Sequence, residues 1–270
     1  MKRNFWILTT LLLMGITASG CNATVDGVPI FGDGIEGSGT PGEELRSFDG
    51  LRGVHLATVG ELRVELGDRD ELTIRADDNL LEYFETDVRD GILRIDVRDR
   101  TSLHTNTSVV YHLVIRDLES VRASSSGDIL VKHIDAPEVD IALSSSGDIY
   151  VRRCKGERVH LALSSSGDLE IQTVDARKLT AKLSSSGDVE LQGGRIKEQE
   201  VALSSSGDYD AERVESRSAT VRVSSSGDAR VWTTERLRAA TSSSGSISFR
   251  GNPATVQAEE SSSGDIERID

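Results

Sequence analysis

Residues 164–183 read SSSGDLEIQTVDARKLTAKL, and the chain repeats this unit. SSSGD begins at Ser124, Ser144, Ser164, Ser184, Ser204, Ser224 and Ser261, with SSSGS at Ser242; the intervals are 20 residues five times, then 18 and 19. A fixed period of this length marks stacked structural repeats. Within the quoted unit the apolar residues Leu169 and Ile171, then Leu179, Ala181 and Leu183, alternate with Glu170, Thr180 and Lys182, and Val174 lies between the two runs. A period of two puts alternate side chains on opposite faces of a strand, whereas a helix needs apolar residues three and four apart. The unit therefore predicts two short strands per coil, and the fold class is all-β: a parallel β-helix (β-solenoid) of ~20-residue coils rising ~4.8 Å each.

The pentapeptide is read as the corner of the coil. Gly127, Gly147, Gly167, Gly187, Gly207, Gly227, Gly245 and Gly264 recur where the chain must turn, and the expected reason is the freedom of glycine to adopt positive φ. Extending the inward phase of Leu163, Leu183 and Leu203 by two places predicts an internal stack of Ser145, Ser165, Ser185 and Ser205, their hydroxyls paired between coils.

Upstream of the repeats, residues 47–123 lack the pentapeptide but carry strand patterns at GVHLAT, ELRVEL, ELTIRA, ILRIDV and VVYHLVI. Asp90-Gly91 predicts a tight hairpin turn, and NLLEYFETDV a short helical turn. This segment is expected to cap the solenoid, because an uncapped stack exposes its core and its edge. At the other end Glu260 and Arg268 fall in columns that are apolar elsewhere, so the core should stop there.

At the N-terminus Lys2 and Arg3 precede an apolar run from Phe5 to Ile16, followed by Ala18, Ser19, Gly20 and Cys21. This resembles a bacterial lipoprotein signal, which implies acylation of Cys21; an ordinary cleaved signal with an incidental cysteine is the alternative. The expected divisions are a signal peptide at 1–20, a Gly-rich acidic flexible tether at 21–46, an N-terminal β segment at 47–123 and the SSSGD β-helix at 124–270. In enteric lipoproteins Asp after the cysteine retains the protein at the inner membrane; Asn22 stands here, so the resemblance implies an outer-membrane protein of the bacterial envelope.

The run FDGLRGVHLATVGELRVELGDRDELTIRADDNLLEYFETDVRDGILRIDV at 48–97, followed by serial SSSGD coils, resembles the head GIN domain of auto-transporter adhesins over about residues 47–269. The resemblance implies a right-handed parallel β-helix, with adhesion as a name and no demonstrated activity. Nothing after Asp265 has the pattern of a membrane barrel, so lipid is the expected attachment.

Formal charge is −14, and loss of Lys2 and Arg3 with the signal takes it to −16, which argues against nucleic acid as a partner. Columns five and seven of three consecutive coils read Asp168 and Glu170, Asp188 and Glu190, Asp208 and Asp210, a candidate cation site for calcium. The competing reading is that the corner aspartates cap backbone amides while the rest are solvated, and then no cofactor is implied. Tyr150 and Trp232, both predicted outward, are candidate glycan contacts. Cys154 falls in an apolar column and is assigned to the core. His133 and His160 lack partners at metal-ligand spacing, no GxSxG elbow is present, and no catalytic residue is assigned. The expectation is a lipid-anchored, non-enzymatic envelope β-helix that binds a surface glycan, other polymer or protein; a spacer without specific ligand is the alternative, and a polysaccharide-acting β-helix enzyme a remote one.

Overall fold

The computed structural model describes residues 24–25, 28–29, 34–98, 101–261 and 263–270. Expectations for the signal peptide and Cys21 lie outside the described residues. The chain is all-β and builds a β-solenoid of about seven turns. In the quoted coil the strands are Leu169–Ile171 and Val174–Leu183. The longer strand bends, because its ladder with Cys154–Leu163 is broken at Arg177, between the pairs Gly156↔Ala176 and Arg158↔Lys178. Each coil thus contributes to three parallel ladders instead of two. Register is fixed by the alternation: Leu169 stacks on Val189 and Leu161 on Ala181, and all six inward residues of the coil are buried. Burying one such aliphatic side chain is worth ~1.5–3 kcal/mol, so every coil brings its own share of core. Cys154 is fully buried in that core, and burial pushes its thiol up to about 12.

The corner forms for a different reason than positive φ. None of the eight pentapeptide glycines has a positive φ; that conformation belongs to Gly39, Gly50, Gly60, Gly91, Gly194 and Gly251. What the pentapeptide glycines allow is contact between coils. A Cβ on Gly147 would lie 2.2 Å from the carbonyl oxygen of Gly127, and one on Gly187 2.1 Å from that of Gly167. The serine stack is also corrected. Ser145 is buried, but Ser165, Ser185 and Ser205 are half-buried, and the Ser165 and Ser205 hydroxyls donate to the backbone carbonyls of Ser145 and Ser185 rather than to one another.

Two of the three ladders continue into the cap and change direction there. The first ladder runs from Asp128–Val131 to Glu61–Leu66 and Val110–Ile115, all parallel, and then to Asp70–Asp77 and Pro41–Phe48, both antiparallel. The third runs from Ser120–Ala123 through Gly53–Leu56 to Ile92–Val97, closed by the antiparallel strand Phe84–Arg89. Asp90 (φ 51°) and Gly91 (φ 75°) make the two-residue turn of that last hairpin, as their sequence predicts. Asp78–Tyr83 forms the short helical turn as 3-10 helix. Phe84 and Tyr111 meet edge to face at 5.7 Å between centroids and join the two capped sheets.

The tether boundary moves. Pro41–Phe48 is a full strand of the cap and Ile35–Glu36 pairs with Leu103–His104, so the folded domain begins well before Ser47. Buried Asp77 ties this entry to the cap by accepting the N–H groups of Gly39, Asn106 and Thr107. Burial alone would raise its carboxyl; the three N–H donors outweigh that and hold it below the usual carboxylate range. At the far end Thr255–Glu260 is exposed throughout and Glu260 and Arg268 face solvent, so the core does end in the expected coil. Among the described residues no helix is long and apolar enough to cross a membrane.

Candidate binding cleft at the junction of cap and coils

The first ladder presents its outward residues in continuous rows. Its central row crosses the junction in register as Thr73, His112, Arg63, Leu130, Tyr150 and Glu170. One row to the side, Lys132, Arg152 and Gln172 follow successive strands, each donating its backbone N–H to the coil before. Around these rows lies a cleft of about 660 Å³ whose lining includes Val110, Leu130 and Tyr150 together with Arg63, Lys132 and Arg152. A second groove adjoins it beside Lys132, His133, Arg152 and Arg153.

The cleft's acidic groups are already matched. Glu43 pairs with Arg75 at 2.6 Å, and Glu65 pairs with Lys132 and, at 3.2 Å, with His112 Nε2. The Lys132 ammonium holds the Glu65 carboxyl below its ordinary range. Among the described residues Arg152 and Arg153 have no carboxylate partner within salt-bridge distance. Apolar side chains, an aromatic ring and the unpaired Arg152 guanidinium in the lining, with Arg153 in the adjoining groove, are an arrangement for holding a ligand. Among the described residues that line the cleft, no nucleophile is hydrogen-bonded to a base.

The structure divides the residues that the sequence singles out. Asp168, Asp188 and Asp208 do not converge on a common point; each Oδ1 accepts the N–H of the next corner residue, at 2.9 Å from Asp188, 2.8 Å from Asp208 and 2.7 Å from Asp228. Glu170 accepts a hydrogen bond from Gln192 at 2.6 Å, and Asp210 pairs with Arg230 at 3.3 Å. Among the described residues no three His, Cys, Asp or Glu groups are placed to share a metal ion. Glu170 stacks directly on Glu190, and burial first, then Glu190's charge, raises the Glu170 carboxyl. Asp188 is raised by burial and by Asp208 and Asp168, against the N–H it accepts from Asp208.

Tyr150 and Trp232 do not share a strip. Tyr150 lies in the central row of the first ladder, whereas Trp232 lies one row to the side, pairing with Arg250 on one strand and, across a register shift, with Glu215 on the other, with the Arg250 guanidinium 4.9 Å above its ring. Only Tyr150 belongs to the cleft. The sequence reading missed Arg63, His112, Lys132, Arg152 and Arg153. A signal for three of them was present: columns nine and ten read Lys132-His133 and Arg152-Arg153, then lose their charge at Gln172-Thr173 and Gln192-Gly193.

The family profile described as "Putative auto-transporter adhesin, head GIN domain" matches residues 50–253, which takes in most of the cap and cleft, without Pro41–Phe48, and nearly all coils. The chain belongs to the head GIN domain family. No curated protein matches it. This head GIN domain is similar in fold to a solved putative adhesin from Parabacteroides merdae, at 20% identity and TM-score 0.83, with 88% of this chain and 100% of that one covered. A putative adhesin from Parabacteroides distasonis is similar at 22% identity and TM-score 0.83, with the same coverage of each chain. A third structure, a putative lipid binding protein from Parabacteroides distasonis, shares 23% identity and TM-score 0.81 over 88% of this chain and 100% of its own. Such identities carry the solenoid and the cap and leave the contents of the cleft to this chain's own residues.

Proposed function

We propose that this head GIN protein is a lipid-anchored, non-enzymatic component of the bacterial envelope, in the outer membrane, that binds a surface polymer or protein in the manner of an adhesin. The cleft at the cap junction carries this reading: it interrupts an otherwise regular rod with apolar side chains, an aromatic ring and the unmatched guanidinium of Arg152. A plain spacer has no use for such an interruption. The anchor is the acylated Cys21, and the corner aspartates, each satisfied by a backbone amide, support a structural rather than calcium-binding use of SSSGD.

The test has two parts. Radiolabelled palmitate fed to cells making the full chain should label the protein, and Cys21→Ser should abolish the label; equal labelling of both would remove the anchor. The full chain, purified in detergent and screened against bacterial glycans and envelope proteins, should bind at least one of them equally with calcium and with chelator, and lose that binding on Tyr150→Ala. Binding that survives Tyr150→Ala would move the site elsewhere, and no binding at all would favour the spacer.

A further inference from the structure

We infer that the cleft takes an acidic polysaccharide, its sugar rings against Tyr150 and its anionic groups on Arg152 and Arg153, an assignment that rests on the binding role of the cleft proposed above. The first ground is an inversion of charge. In a chain of formal charge −14, the cleft is lined by Arg63, Arg75, Lys132 and Arg152 against Glu43 and Glu65, with Arg63 itself paired to Glu61; the groove beside Lys132 adds Arg153 with no acidic residue, whereas on the other side Leu130 and Tyr150 border a groove lined by Glu61, Asp128, Asp148, Asp168 and Glu170. Both of the cleft's glutamates are taken up by Arg75, Lys132 and His112. Arg152 and Arg153 are left over, and a guanidinium is a planar fork that matches a carboxylate, sulfate or phosphate on two bonds at once.

The second ground is shape. Leu130 and Tyr150 sit next to each other in one row, half-buried, and offer a flat apolar step of the kind a sugar ring covers. Arg152 follows Lys132 at the equivalent place on the adjacent strand, ~4.8 Å on, and of the two only Arg152 is without a carboxylate partner among the described residues. The third ground is what lies beyond. The same central row continues as Glu170, Glu190 and Asp210, which repel a polyanion. An acidic polymer is therefore confined to the cap end and runs out across His112 and Thr73 rather than along the coils.

The full chain in detergent would be titrated with polygalacturonate, alginate and dextran sulfate, with dextran as the uncharged match and vesicles of phosphatidylglycerol in phosphatidylcholine as a lipid arm. Variants are Arg152→Gln with Arg153→Gln, Tyr150→Ala, and Arg177→Gln as an exposed cationic control outside the cleft; thermal melts confirm that each folds. The expected result is binding of at least one acidic polymer that weakens with salt, falls about tenfold or more in the Arg152/Arg153 double variant, and is unchanged in Arg177→Gln. Dextran bound as tightly as dextran sulfate, and lost on Tyr150→Ala, would leave the cleft as a binding site and overturn its preference for anions. Binding to the vesicles alone, beyond that to phosphatidylcholine vesicles through the lipid anchor and lost in the Arg152/Arg153 double variant, would make lipid the occupant and overturn the polysaccharide. Acidic polymer bound equally by the double variant would place it outside the cleft, and failure of every polymer and vesicle would overturn the inference; a glycan or protein found in the wider screen would then still uphold the binding role.

Discussion

At the scale of single residues, the pentapeptide shows how a correct position can be assigned for an incorrect reason. Sequence periodicity places the glycines at a corner, but φ is a property of the backbone and is not written in the residue type. Their requirement arises between coils, where the carbonyl of one glycine lies against the α-carbon of the next. Gly187→Ala is thus expected to destabilise the domain by ~2–4 kcal/mol, as overpacked backbone contacts do. Gly193, whose added Cβ would meet only an ordinary contact at 3.6 Å, should accept Ala within ~0.5 kcal/mol. Urea unfolding of the two variants checks the contrast, and equal effects would mean that the corner, not the close approach, selects glycine.

At the scale of elements, the parallel ladders stack identical columns, so any charge in the repeat meets its own copy one coil away. The corner aspartates offset part of the cost by accepting backbone N–H groups, although Asp208 and Asp168 still raise the Asp188 carboxyl. The pair Glu170↔Glu190 has no such offset, and like charges directly opposite on a sheet are destabilising. Because the folded state raises the Glu170 carboxyl, stability from this group is complete at low pH and is lost as pH rises through its folded pKa. Glu190→Gln should accordingly stabilise the protein by a few tenths of a kcal/mol at neutral pH, with the gain vanishing near about pH 3 where the raised Glu170 carboxyl is protonated. Asp77 has the opposite sign: its contribution is present above the unfolded carboxylate pKa and disappears as pH falls through the lower folded value. Urea titrations of Glu190→Gln and the parent at both pH values separate the two effects.

At the scale of the whole molecule, the cap decides both stability and function. A solenoid adds coils without limit unless something closes its edge, and here the closure is a switch from parallel to antiparallel pairing at Val110–Ile115 and Asp70–Asp77. Pro41–Phe48 is the outermost strand of that closure, so a chain lacking residues 1–48 should expose the edge at Asp70–Asp77 and melt at lower temperature or aggregate, whereas removal of residues 1–23 should do neither. Light scattering during a thermal melt distinguishes these outcomes. The same switch makes the cleft, because it brings His112 and Thr73, from strands outside the repeat, into the row of Leu130 and Tyr150.

The sequence by itself determined the solenoid, the coil boundaries, the inward columns, the Asp90-Gly91 hairpin and the burial of Cys154. Each follows from local alternation, turn chemistry or a fixed period, and stacking in register multiplies the same signal in every coil. Tertiary structure alone decided the third ladder, the strand before Ser47, the reason for the corner glycines and the membership of the cleft. Those depend on which segments become neighbours in space: Arg63 and Leu130 are 67 residues apart in the chain and one strand apart in the sheet. A repeat announces itself in one dimension, whereas the place where it is interrupted takes its chemistry from segments that only the fold brings together.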